Sequence, residues 1–179
     1  MHEMNNYCLR RLRYAFALND KQMLAIFLEM NFKLTLNELQ TYLLKEDDEK
    51  FVLLPDYILT IFLDGFIQSK RGKRDGAEEL TQKQRVELTK KYRLNNNMIV
   101  NKIKIALALK AEDMIEILML ADFRISKGEL SAFFRKPEHR NYRDCGNQFL
   151  RNLLTGMTTK YRSTKNESDP KKNNKKEEK

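Results

Sequence analysis

Proline, glycine and cysteine are scarce in this chain of 179 residues, which has three prolines, six glycines, two cysteines and no tryptophan. So few helix-breaking residues favour a helical protein. Two cysteines cannot form a disulfide framework, which excludes the small secreted scaffolds. No apolar run approaches the roughly 18 residues that span a bilayer, and the first residues lack the layout of a signal peptide. We therefore expect a cytoplasmic protein with no membrane partner.

Residues that carry chemistry are also few. The glycines have neither the spacing of a phosphate-binding loop nor that of a dinucleotide fingerprint. Two histidines and two cysteines are too few for an ordinary structural metal site. His139 and Cys145 could be considered as a nucleophilic pair, but no third group that would orient them is evident. The sequence therefore predicts no cofactor, no metal and no enzymatic activity.

The chain is an internal duplication. A shift of 91 positions aligns residues 5–66 with residues 96–157 without a gap. Fourteen of the 62 aligned pairs are identical, whereas about four would be expected by chance at ordinary composition. The sequence therefore predicts an all-α protein of two homologous units.

Each unit is predicted to contain four short helices, because apolar residues recur at spacings of three and four. The first helix is predicted to begin after an Asn-Asn pair, at residues 5–6 and again at 96–97, whose side chains can cap it. The third helix has the clearest start, since residues 35–38 and 126–129 both read as capping boxes.

Two further pairs of aligned residues carry structural predictions. Asn31 and Asp122 are predicted to end the second helix of each unit, because both residue types tolerate the left-handed conformation. Gly65 and Gly156 fall inside the last helix of each unit. Glycine destabilises a helix interior, so its presence in both copies suggests that another helix approaches closely there.

Four segments follow from the repeat and from composition. They are a first helical repeat at 4–69, a basic connector at 70–95, a second helical repeat at 96–159 and a lysine-rich tail at 160–179. The connector is predicted to be partly helical, within 77–94, because that stretch has no glycine or proline. The tail is predicted to be disordered, since it has too few apolar residues to bury.

Charge distinguishes these segments. The net charge is −3 over residues 1–69 and +3 over residues 96–159, so the repeats cancel and the whole net charge of +9 can be assigned to the connector and the tail. A basic balance usually indicates a nucleic acid or an anionic surface. That indication is weaker here, because much of the charge lies outside the predicted repeats.

One long segment resembles a known family. Residues 130–152 read LSAFFRKPEHRNYRDCGNQFLRN and are similar to the signature of the YehS-like bacterial family, as are residues 4–7, 12–15 and 71–76. The resemblance covers residues 4–159. It implies a duplicated domain in a bacterial cytoplasmic protein, and it supplies no activity, because that family is one of unknown function. The connector and the lysine-rich tail are longer than is usual in it.

Binding is the functional class that the sequence favours. In both units the second and third helices have the outline of a helix-turn-helix element, whose second helix would enter a major groove. The second unit adds basic and aromatic residues that suit phosphate contact and base stacking. The candidate contact residues are Arg135, Lys136, His139, Arg140, Tyr142 and Arg143.

The acidic run at residues 46–49 opposes symmetric use of both units on DNA, because it follows the third helix of the first unit and would repel phosphates. The same run leaves a second partner class open. It could face the basic residues 135–143, either within the chain or between two copies, in protein binding or self-association. Exposed ion pairs contribute only about 0 to 1 kcal/mol each, so such a contact would also need apolar area.

Overall fold

The computed structural model describes residues 3–76, 79–91 and 93–167 of the chain. Those residues form nine α-helices and no β-strand, which confirms the predicted all-helical class. The helices are α1 (Glu3–Ala15), α2 (Asp20–Leu28), α3 (Leu36–Leu43), α4 (Asp56–Arg71), α5 (Gln82–Lys90), α6 (Asn96–Ala106), α7 (Ala111–Met119), α8 (Lys127–Ala132) and α9 (Asn147–Glu167). Helices α1–α4 form the first repeat and α6–α9 the second, so the prediction of two four-helix units is confirmed.

The third helix of each repeat begins where its sequence predicts. Thr35 caps α3, and its hydroxyl and backbone amide exchange hydrogen bonds with Glu38. Ser126 and Glu129 form the same capping box at α8. The bond from Thr35 lowers the pKa of the Glu38 carboxyl, because it stabilises the ionised form.

Among the described residues, four that are not glycine adopt the left-handed conformation. Asn31 and Asp122 do so directly after α2 and α7, with φ of 52° and 53°, as predicted. Ala17 and Ala108 do so after α1 and α6, with φ of 48° and 52°. At the first of these turns the amide of Leu18 donates to the Arg13 carbonyl at 2.9 Å, which closes the helix end. Alanine is strained in this conformation because its Cβ crowds the following carbonyl oxygen.

We expect Ala17→Gly and Ala108→Gly each to raise the free energy of unfolding by about 1 kcal/mol, since glycine removes that strain. Ala25→Gly is the matched control. Ala25 is exposed within α2, so glycine there is expected to lower stability by about 1 kcal/mol. Urea unfolding followed by circular dichroism measures both changes, and a loss of stability in Ala17→Gly would contradict the strain.

The two repeats pack together through their first and last helices. The first helix of each repeat lies against the last helix of the other repeat. The most extensive helix contacts join α1 of the first repeat to α9 of the second, and α4 of the first to α6 of the second. At equivalent positions of the two seams, Lys102 forms an ion pair with Asp64, and Arg11 donates to Thr155 Oγ1 at 3.5 Å. One hydrophobic core therefore runs through both repeats.

Gly65 and Gly156 lie where the last helix of each repeat crosses the second helix. A Cβ at Gly65 would lie 2.0 Å from the carbonyl oxygen of Ile26, and a Cβ at Gly156 would lie 1.8 Å from that of Ile117. Real Cβ atoms essentially never come so close to another atom. The close helix approach predicted from the two glycines is therefore confirmed.

The connector helix is shorter than predicted. Helix α5 covers Gln82–Lys90, and Val86 is half-buried against the core while Leu88 is 42% exposed. The amide of Lys33 donates to Gln82 Oε1 at 3.1 Å, which holds the connector against the turn between α2 and α3. Residues 77, 78 and 92 of the predicted helix lie outside the described residues.

The last helix extends beyond the predicted end of the second repeat. Disorder was predicted from residue 160, and this is wrong for residues 160–167, which continue α9. Tyr161 packs against Phe16 with ring centroids 5.1 Å apart, a contact between distant segments that local composition does not indicate. The remaining tail residues, 168–179, lie outside the described residues.

Candidate functional site

The predicted contact residues lie in the loop that joins α8 to α9. Lys136, His139, Arg140 and Arg143 are exposed on it, and Arg135 is half-buried. Tyr142 is also half-buried, and its hydroxyl donates to Asp144 Oδ1 at 3.0 Å. Burial and this hydrogen bond raise the pKa of Tyr142. The loop thus groups the six residues on one short segment, which we name the basic loop (residues 133–146).

The side chain of His139 forms hydrogen bonds inside the basic loop. Its Nδ1 accepts a hydrogen bond from the Asn141 amide at 3.1 Å and lies 3.3 Å from Nη1 of Arg135. The backbone turns twice around it, because the His139 amide donates to Lys136 and the Tyr142 amide donates to His139. The ring therefore fixes the turn, a role that the sequence did not indicate.

The equivalent loop of the first repeat makes the same turn with the opposite charge. We name residues 44–54 the acidic loop. Asp48 stands in the position of His139, and its Oδ1 accepts from the Lys50 amide at 2.9 Å, as Nδ1 of His139 accepts from Asn141. Residues 46–49 are exposed, and Glu46 lies 3.7 Å from Arg10. The same backbone turn therefore carries acidic side chains in the first repeat and basic side chains in the second.

An asparagine holds each loop to the first helix of its repeat. Asn97 is buried, and its Nδ2 donates to the carbonyl oxygens of Phe133 and Arg143, both at 2.9 Å. Its Oδ1 accepts from the Cys145 amide at 2.8 Å. Asn96 adds a bond to the Cys145 carbonyl at 2.9 Å. The basic loop is therefore fastened at both of its ends.

The acidic loop is fastened in the same way. Asn6 donates to the carbonyl oxygens of Tyr42 and Val52 and accepts from the Leu54 amide, at 2.9 to 3.0 Å. Asn5 donates to the Leu54 carbonyl and to Asp56. We name these two sets of bonds the asparagine clamps.

The clamps correct the prediction that the asparagine pairs cap the first helices. Helix α1 begins at Glu3, before the pair at residues 5–6, and α6 is capped by Asn95 instead. The pairs lie inside the first turns of the helices, and their side chains form hydrogen bonds with backbone groups of a distant loop. The sequence offered one indication of this role, because asparagine occurs at both of these positions in each of the two repeats.

Helix α8 is too short to present Arg135 and Lys136 to a major groove, as the second helix of a helix-turn-helix element would. It ends at Ala132, so Arg135 and Lys136 lie beyond it and not on its solvent side. Another helical turn would need the amide of residue 137 to donate to the Phe133 carbonyl, and Pro137 has no N–H, so Asn97 bonds that carbonyl instead. The second helix of the expected helix-turn-helix element therefore has six residues, and the basic residues are presented by the loop.

Residues of both clamps line one cleft of about 580 Å³ between the repeats. Asn5 and Asp56 line it from the first repeat, and Asn96 and Asp144 from the second. The acidic and basic loops therefore depart from the same end of the molecule, on either side of this cleft.

The two cysteines, Cys8 and Cys145, are buried thiols without a disulfide. Burial raises the pKa of Cys8 and of Cys145 to about 12, so both remain protonated at neutral pH. The thiol of Cys145 lies 3.8 Å from the Gly146 carbonyl oxygen. A protonated thiol is a poor nucleophile.

The described part of the chain has neither a candidate membrane-spanning helix nor a candidate metal cluster. None of its helices combines the length and the apolar character needed to cross a membrane. No three His, Cys, Asp or Glu side chains in that part are grouped so that they could hold a metal ion.

Comparison with known proteins gives one family and one curated relative. The family described as "Protein of unknown function (DUF1456)" matches residues 5–72 and again residues 96–163. Uncharacterized protein YehS of Escherichia coli (strain K12) is 37% identical over 157 residues, which cover 88% of this chain and 96% of that protein. No solved structure matches the chain. The two family matches begin at Asn5 and Asn96, the first residues of the asparagine clamps.

Proposed function

The chain belongs to the DUF1456 family of proteins of unknown function, and from this premise we propose that it is a cytoplasmic, non-enzymatic protein that binds nucleic acid through its basic loop. The observation that carries the proposal is the comparison of the two loops. The turn at Asp48 and the turn at His139 have the same hydrogen bonds, although their surfaces have opposite charge. The fold therefore does not require the basic residues, which leaves them available for a partner.

The basic loop suits phosphate contact. Lys136, Arg140 and Arg143 are exposed, and arginine and lysine are the side chains that most often contact phosphates. The clamp at Asn97 fixes the loop before any partner arrives, which reduces the conformational entropy lost on binding. Glu138 and Asp144 are the acidic residues of the loop, and Asp144 is bonded to Tyr142.

Single-stranded nucleic acid fits this surface better than duplex. Helix α8 has only six residues, so it is too short to make many contacts in a major groove. A hollow of about 180 Å³ lies beside the loop and is lined by Phe133, Phe134, Arg135 and Tyr142. Aromatic and arginine side chains next to basic residues are the arrangement on which unpaired bases stack.

The test is a titration of fluorescent single-stranded DNA, duplex DNA and structured RNA with the full chain at several salt concentrations. A variant in which Arg135, Lys136, Arg140 and Arg143 are all replaced by glutamine is expected to bind at least about tenfold more weakly at low salt. Its slope of log affinity against log salt should fall by about 3, the value for four lost phosphate contacts on a single strand.

Two full-length controls locate the effect. Replacing the glutamates and aspartates at 46–49 by amides changes the acidic loop and should not weaken binding. Replacing Lys171, Lys172, Lys175 and Lys176 by glutamine tests the tail. Loss of binding in the tail variant alone would contradict the proposal, as would an unchanged salt slope in the loop variant.

A second candidate is self-association, because loops of opposite charge leave the same end of the molecule. The acidic loop of one copy would then meet the basic loop of another. Sedimentation at low and high salt distinguishes it, since this contact predicts a dimer that dissociates with salt and with the loop variant. A monomer at low salt would exclude it.

A further inference from the structure

We propose that a cleft at the far end of α1 binds a phosphate-bearing small molecule of nucleotide size. This site is separate from the basic loop and does not depend on the nucleic-acid proposal. The cleft measures about 520 Å³, within the range of small-molecule sites. Arg10, Arg13 and Arg162 line it together with Tyr14, and Leu18 and Leu43 are among its apolar lining residues.

Each of the three guanidinium groups is held in place by a backbone carbonyl. Nη1 of Arg10 donates to Leu44 O at 2.7 Å, and Nη1 of Arg162 donates to Tyr14 O at 2.9 Å. Nε of Arg13 donates to Leu18 O at 3.3 Å. A guanidinium has five N–H donors, more than these contacts use. Arginines fixed in this way can bind a phosphate without first losing side-chain entropy.

The charge around the cleft favours an anion. Helices α1 and α9 carry no aspartate or glutamate between residues 4 and 15 or between residues 147 and 162. The counter-charges come from other elements: Asp20 lies 2.7 Å from Arg13, and Glu46 lies 3.7 Å from Arg10. The contact of Glu46 is loose enough for a phosphate to replace it, whereas Asp20 continues to orient Arg13.

The rest of the lining suits a planar ring. The guanidinium of Arg162 lies over the Tyr14 ring at 3.7 Å. The face of this flat guanidinium that is turned away from Tyr14 is a surface on which a base can stack. Leu18 and Leu43 offer apolar area beside them. Arg10 and Arg13 beside a phosphate, and the Arg162 guanidinium as a stacking surface for a ring, together indicate a nucleoside phosphate.

The fold does not require this arrangement, because the other repeat lacks it. The positions equivalent to Arg10, Tyr14 and Leu43 hold Asn101, Ile105 and Phe134. The lysine equivalent to Arg13, Lys104, lies over the Phe134 ring at 5.6 Å. Arg71 is the counterpart of Arg162 and is exposed. The three arginines are therefore particular to this one cleft.

Calorimetric titration of the full chain with AMP, adenosine and inorganic phosphate tests the site. AMP is expected to bind saturably, adenosine not to bind, and phosphate to bind at least tenfold more weakly than AMP. The double variant Arg10→Gln, Arg162→Gln should weaken AMP binding at least tenfold. Arg71→Gln is the matched control and should leave AMP binding unchanged, with circular dichroism showing that each variant folds.

The remaining outcomes overturn the proposal. Absence of AMP binding, equal binding of AMP and phosphate, or equal losses in the double variant and in Arg71→Gln would each do so. The variant of the basic loop serves as a further control, because it is expected to bind AMP normally. Failure of AMP binding is thus distinguishable from failure of nucleic-acid binding.

Discussion

Replacing Asn6 by alanine is expected to lower the free energy of unfolding by about 3 to 5 kcal/mol, because three backbone groups, one buried and two partly buried, lose their partner. The side chain of Asn6 is fully buried and bonds the carbonyls of Tyr42 and Val52 and the amide of Leu54. The loss is a large share of the about 5 to 15 kcal/mol that stabilises a typical domain.

The second clamp should respond alike, so Asn97→Ala is expected to cost about the same. Asn141→Ala is the matched control, since Asn141 is exposed and its bond to His139 uses the backbone amide. That change should stay within about 0.5 kcal/mol. Urea unfolding of the three variants measures the difference. Equal, small effects in all three would mean that the clamps add little to stability.

Gly65→Ala is expected to lower the free energy of unfolding by about 3 kcal/mol or more, because the added methyl group has no space. Its Cβ would lie 2.0 Å from the backbone oxygen of Ile26, and a backbone atom cannot move aside as a side chain does. The helices α2 and α4 would have to separate. Gly156→Ala should act in the same way against Ile117, and the double variant is expected not to fold.

Gly128→Ala is the control with the opposite sign. Gly128 lies in the first turn of α8, and the nearest atom to an added Cβ is Ser126 Oγ at 3.9 Å. Alanine there should raise stability by up to about 1 kcal/mol through its greater helix propensity. Thermal unfolding of all four variants gives the comparison. Similar midpoints for Gly65→Ala and Gly128→Ala would refute the close approach of the helices.

The features that could be predicted from sequence are those whose partners are near in the chain. The capping boxes at Thr35 and Ser126 each join residues three positions apart, so the pattern and the contact coincide. Asn31 and Asp122 act through their own backbone conformation. The close helix approach at Gly65 and Gly156 could be predicted because glycine lowers the stability of a helix interior. Its presence in both repeats therefore indicates a compensating contact.

The features that were missed depend on distant residues. Asn6 reaches partners 36 to 48 residues away, and no local pattern distinguishes a buried clamp from a helix cap. The end of α8 at Ala132, which leaves Arg135 and Lys136 on a loop, by contrast had a local sign in Pro137, which has no N–H to continue the helix. The three arginines of the cleft come from α1 and α9, and only the packing of the first helix on the last brings them together.

The crossed packing of α1 on α9 and of α4 on α6 is the arrangement that a two-fold homodimer of a single repeat would have. Residues 72–95 join the two halves into one chain. In a true homodimer every change in one subunit appears in the other, so both loops would carry the same charge. The covalent link removes that constraint. Each half can change alone, which is how one clamped loop came to be acidic and the other basic, and how three arginines came to lie together at the contact of α1 with α9 and not at that of α6 with α4.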